Sequence, residues 1–217
     1  MPRHLRLFTV LMIMMDTYPF MSQIKFTPWI GDNYEKSTFG KRVLVLGESH
    51  YDWEKGKPID ERSEVTNIVI REQLDGTYTK AFWTKIAITF LNKQPTLEEK
   101  RAFWHQIAFY NYVQSSAGFG PRKSPTSEQF GKSAQAFFEL LESYKPEVII
   151  VLGKRLWQNL PATNRESTPK IRGAESLNTA RFLYPGGSAL AVGIRHPSSG
   201  FNGRNWHSAV ISAINHA

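Results

Sequence analysis

At 217 residues, 41% of them hydrophobic and 13% aromatic, the chain suits one large domain and carries enough apolar surface for a real core. Its 27 Lys and Arg against 19 Asp and Glu leave a net charge of +8, a surplus that either draws polyanions, nucleic acid first among them, or only keeps the protein dissolved. The lack of cysteine excludes disulfides, zinc–thiolate sites, iron–sulfur clusters and cysteine nucleophiles, and suits a cytoplasmic location.

The chain starts with an apolar run at 7–15 behind Arg3 and Arg6. No small-residue cleavage site follows, and the run is too short to cross a bilayer as a helix. Residues 1–20 are therefore expected to form an extension to a domain filling 21–217, with no membrane association. Val43-Leu44-Val45-Leu46 reads as a buried strand because it lacks polar alternation. Thr96-Leu97-Glu98-Glu99 has the form of a capping box and predicts a helix carrying Phe103 and Trp104. Ile107-Ala108-Phe109-Tyr110 is a weaker strand, ending at Asn111. Thr126-Ser127-Glu128-Gln129 repeats the capping box and opens a helix. Phe130, Ala134, Phe137, Phe138 and Leu141 give that helix its core face, and Pro146 stops it. Val148-Ile149-Ile150-Val151-Leu152 and Leu190-Ala191-Val192-Gly193-Ile194 complete the strands, and 161–187 between them reads as a polar surface excursion. Trp206, Val210 and Ile214 mark one face of a last helix. Strands alternating with helices predict an α/β fold, three-layer α/β/α, around a central, mainly parallel four-stranded sheet.

In such sheets function sits beyond the carboxyl ends of the strands. The loops expected there carry Glu48, Ser49, His50, Tyr51, Asp52 and Trp53; Asn111; Lys154 and Arg155; and His196 through Asn202. An acid, a hydroxyl, imidazoles, an amide, aromatics and cations on one rim suit cleavage of an N-glycosidic bond. A carboxylate there stabilises an oxocarbenium-like sugar and orients water, while a donor stabilises the departing base. An aromatic platform and an amide would receive the base once it leaves the stack.

These segments, in order over about residues 40–217, resemble the uracil-DNA glycosylase superfamily. Gly47-Glu48-Ser49-His50-Tyr51-Asp52 is similar to its first motif, GQDPYH or GEAPG in different branches. Asn111 followed by Pro121-Arg122-Lys123-Ser124-Pro125 resembles its asparagine and proline-rich loop. Pro146 through Gly153 resembles its third element, and His196-Pro197-Ser198 its closing HPS motif. The resemblance implies a DNA glycosylase acting as a monomer on DNA, in base-excision repair or in defence against modified phage DNA, with no cofactor. It makes Glu48 the acid that positions water, His196 the group that stabilises the leaving base and Asn111 the base reader. Tyr51 matches the tyrosine that crowds the base, and Phe201 or Asn202 falls at the intercalating position. The GQDPYH aspartate and proline are replaced by Ser49 and His50, and the iron–sulfur cysteines of the GEAPG branch are absent.

Each residue also has a plainer reading. Glu48 can be a solvated loop acid, His50 a structural hydrogen-bonder and Asn111 a strand terminator. Tyr51 and Trp53 can cap the core. Phe201, between Gly200 and Asn202-Gly203, is expected to stand exposed as a contact residue. Lys154, Arg155 and Arg204, at expected helix starts, and Ser198 are expected to meet phosphates. The histidines show no metal-ligand spacing, and no metal is expected. Two other functions fit: a serine hydrolase with Ser49 as nucleophile and His196 or His207 as base, or a DNA-binding member of the same fold without activity.

Overall fold

The computed structural model describes residues 22–78, 80–120, 123–198 and 200–217. The extension expected at 1–20, and Pro121, Arg122 and Ser199 of the motifs, lie outside the described residues. All four apolar runs form strands, here β2 (Val43–Gly47), β4 (Ala108–Asn111), β6 (Val148–Leu152) and β9 (Gly187–Ile194). They pair in parallel in the order β4-β2-β6-β9. Both faces of these strands are covered, which explains their continuous apolarity.

The sheet is larger than the four strands expected. It is a seven-stranded mixed sheet, with β1 (Trp29–Ile30) antiparallel to β4 on one side. On the other side β8 (Asn178–Tyr184) runs antiparallel to β9, and β7 (Arg165–Ser167) antiparallel to β8. The stretch expected to be a surface excursion thus supplies two strands. Ala180, Phe182 and Tyr184 alternate inward along β8, a period-two pattern submerged among polar neighbours. Pro185-Gly186 joins β8 to β9, with Gly186 at φ 80°, the backbone a type II turn asks of its third residue. A separate parallel pair joins β3 (His50–Asp52) to β5 (Ser116–Phe119).

Seven helices complete the described fold: α1 (Val65–Asp75), α2 (Ala81–Leu91), α3 (Leu97–Trp104), α4 (Ser127–Lys132), α5 (Ala134–Tyr144), α6 (Lys154–Asn159) and α7 (Arg204–His216). Alternate residues of the parallel strands feed two cores. Val43, Val45, Ile150 and Val192 meet α1, α2, α3 and α7 through Ile70, Trp83, Phe90, Trp104 and Val210. Leu44, Leu46, Ile149 and Ala191 meet α4, α5 and α6 through Phe130, Phe137, Leu140 and Leu156. The layers are therefore helix, sheet, helix.

Both expected capping boxes are present, Thr96 with Glu99 and Thr126 with Gln129, each with the side-chain bond to the third backbone N–H and the reciprocal bond. The helix expected to run from Ser127 to Pro146 breaks in two at Ser133, whose hydroxyl donates to Gln129 O at 2.7 Å and accepts from Gln114 N–H at 3.0 Å. Phe130 and Phe137 are buried, and Phe138 packs partly against the same core.

Candidate active site

All four parallel strands end toward one rim, and a cavity of about 750 Å³ opens beside it. Glu48 and Ser49 follow β2, Asn111 closes β4 and His196 follows β9, and all four residues line that cavity together with His50, Tyr51, Asp52 and Trp53. The sequence scattered these groups over 149 positions, 48 to 196 inclusive; the crossover connections bring them together.

Two glycines permit the approach. A Cβ on Gly47 would stand 2.2 Å from Asn111 Oδ1, so the amide lies against bare backbone. Gly153, at the end of β6 with φ 109°, would set a Cβ 3.2 Å from His196 Cβ, and its N–H donates to Ile194 O at 2.8 Å. The β6 and β9 ends are thus drawn together under the imidazole.

Glu48 is buried and forms a two-pronged ion pair with Arg155, whose Nε donates to Oε2 at 2.7 Å and whose Nη2 donates to Oε1. Arg155 also reaches Ser124 through Nη1. The guanidinium expected to meet phosphate is therefore already engaged with the carboxylate beside it, which neutralises a buried charge. Its pKa is raised, chiefly by the hydrogen bond to Glu48. Lys154, Ser198 and Arg204 are exposed, as a phosphate-contacting role requires.

His50 is buried, and desolvation drives its pKa from 6.5 to about 3, so the ring is neutral. Its Nε2 lies 2.8 Å from Thr66 Oγ1, and Asn111 Nδ2 lies 3.1 Å from Nε2 and 3.3 Å from Nδ1. The pattern fits a ring that donates from Nε2 to the Thr66 hydroxyl and accepts the Asn111 amide at Nδ1. Phe26 packs edge-on against it at 5.0 Å. His196 is half-buried over Phe82, with ring centroids 5.4 Å apart. Its pKa is lowered, first by desolvation and further by Arg155, against an opposing pull from Glu48.

Ser49 Oγ is buried and has no hydrogen-bond partner among the described residues. Among the described residues no histidine is hydrogen-bonded to it as a serine nucleophile's base would be, and His207 Nδ1 lies 3.1 Å from Thr89 O.

Two residues stand otherwise than the sequence suggested. Phe201 is 6% exposed, part of the core under α7, and stacked on Trp206 with planes 2° apart. It is a core residue and not a contact tip: two glycines gave it the look of a loop apex, but the chain folds back there to start α7. Asn202 beside it is exposed, and its Oδ1 accepts Arg204 N–H at 3.1 Å at that helix start. Trp53 does not cap the core; it is 48% exposed at the cavity edge, with Arg62 5.0 Å over its ring. Tyr51 is exposed at the same edge.

One wall went unread in the sequence. Val69, Glu72, Thr77, Tyr78, Lys80, Phe82 and Trp83, from α1, α2 and their connection, line the cavity. Trp83, Ile86, Ala87 and Phe90 carry helical spacing that marks α2, and Gly76 at φ 80° marks the end of α1. The many β-branched residues of 65–91 masked both signals.

No protein-family pattern matches the chain, and no curated protein sequence is significantly similar to it.

Proposed function

We propose that the protein is a DNA glycosylase with a uracil-DNA glycosylase-like fold, which receives an extruded base and hydrolyses its N-glycosidic bond to leave an abasic site. The observation that carries the reading is the meeting of Glu48, Asn111 and His196 on one cavity of about 750 Å³, a volume in the range of small-molecule sites. The parallel core with its site at the carboxyl edge and the net charge of +8 support it as well.

In this reading the base enters between the aromatic rim of Tyr51, Trp53 and Phe82 and the amide of Asn111. Asn111 gives one of its two Nδ2 hydrogens to His50 and offers Oδ1 as an acceptor for the ring N–H of uracil or the amino group of a cytosine derivative. Arg155 takes one bond on each oxygen of Glu48, and a carboxylate retains further lone pairs that can orient the attacking water. As the bond between base and sugar lengthens, Glu48 stabilises the cationic sugar. The neutral His196 donates to the base as negative charge collects on it. Water then adds to the sugar carbon and passes a proton to Glu48, which returns it through solvent to the departing base anion, so that the base leaves neutral and Glu48 is again a carboxylate.

The test is a panel of oligonucleotides carrying uracil, deaminated purines or modified cytosines, each assayed for an alkali-labile site. The reading expects cleavage of at least one, and suppression of that cleavage by His196→Ala. A protein that binds the panel and cleaves none would be a binding member of the fold.

A further inference from the structure

We propose that Phe119 is the side chain that enters the base stack of duplex DNA when the target base is extruded, an assignment that rests on the glycosylase reading. Removing a base from a duplex leaves a gap that an apolar side chain can fill, and the sequence pointed to Phe201 or the polar Asn202 for this role. Phe201 is buried under α7 and unable to reach a partner.

Phe119 has what Phe201 lacks. It is 44% exposed, at the end of β5. Gly118 and Gly120 flank it at φ 96° and 102°, conformations that residues with side chains rarely adopt. A Cβ built on either glycine would meet no atom of the described residues within 4 Å. These glycines therefore serve a sharp backbone course and not close packing, and the aromatic between them presents nearly half of its surface to solvent. The exposed part of the ring is available for contact.

Its location is the second observation. The β3–β5 register places Phe119 opposite Asp52, and Asp52 with its neighbours Tyr51 and Trp53 lines the cavity. The tip thus lies one strand away from the cavity wall, near enough to act on the same stretch of duplex. The base of the strand is anchored: Ser116 N–H donates to Asp60 at 2.9 Å, and Gln129 Nε2 donates to Ser116 O at 2.8 Å. A fixed strand with a free aromatic tip is the construction a wedge needs. Lys123, exposed four positions further on, supplies a cation for the flanking backbone.

The experiment compares excision of the same base from a paired duplex and from a single strand, which needs no wedge. Phe119→Ala is expected to lose about tenfold or more on the duplex and to stay within about twofold of wild type on the single strand, with Phe119→Leu retaining duplex activity. Equal duplex rates for wild type and Phe119→Ala, or equal losses on both substrates, would overturn the assignment. A second readout needs no turnover: 2-aminopurine beside a tetrahydrofuran abasic site should brighten on binding wild type and not on binding Phe119→Ala. If wild type excises no base, the glycosylase reading falls, while brightening that is absent with wild type or unchanged in Phe119→Ala would refute the wedge itself.

Discussion

A methyl group on Gly47 would collide with Asn111 Oδ1 at 2.2 Å and Phe109 Cζ at 2.9 Å, so the amide would have to swing toward the cavity. Gly47→Ala is therefore expected to cost about 1–3 kcal/mol in urea unfolding and to turn the amide out of place. Unchanged stability would mean that the amide does not rest on the backbone there. His50 makes a pH prediction. Its folded pKa near 3 lies below the 6.5 of the unfolded chain, so the unfolded state takes up a proton that the native ring refuses. Native stability should thus fall as pH drops from about 6.5 toward 3, and this group adds no pH dependence above that window. Between pH 7 and 5 the loss is on the order of 1–2 kcal/mol, and His50→Gln should remove that part of the slope. An unaltered slope would show that the ring is protonated in the folded protein. That His50 and Asn111 are candidate site residues was legible from their place beside apolar strands. Their mutual bonds were not, because 61 positions separate the imidazole from the amide.

Among the elements, the turn after Asn111 depends on α4. Gln129 caps Thr126 through Oε1 at 2.9 Å and donates from Nε2 to Ser115 Oγ and Ser116 O, both at 2.8 Å. One side chain therefore fixes the helix start and the strand that carries Phe119. Gln129→Ala should lower stability by about 1–2 kcal/mol and speed amide exchange at the β5 residues, whereas exchange confined to α4 would separate the two functions. The capping boxes were legible because their chemistry is local, between partners three positions apart. The strand β8 was not: its inward Ala180, Phe182 and Tyr184 become recognisable only against the β9 face they pair with. The role of Phe201 failed for a related reason, since a glycine-flanked aromatic reads alike whether its loop leaves the body or folds back to start a helix. Phe119 carries the same local signature and the opposite exposure.

For the molecule as a whole, the parallel centre was legible because strands covered on both faces lose polar alternation, and four such runs fixed the layers. The antiparallel margins and the α1–α2 wall of the cavity were hidden, since their patterns are short or crowded with β-branched residues. Among the described residues no helix is long and apolar enough to cross a membrane. The central claim is that one cavity lets Glu48, Asn111 and His196 act together on an extruded base. Single-turnover excision by wild type and Glu48→Gln, on the best substrate of the panel and with affinity measured beside it, tests this most directly. The account predicts a rate at least ~100-fold lower for Glu48→Gln with affinity within a few-fold of wild type. An equal rate in the two proteins, or no abasic site from wild type on any base, would contradict it.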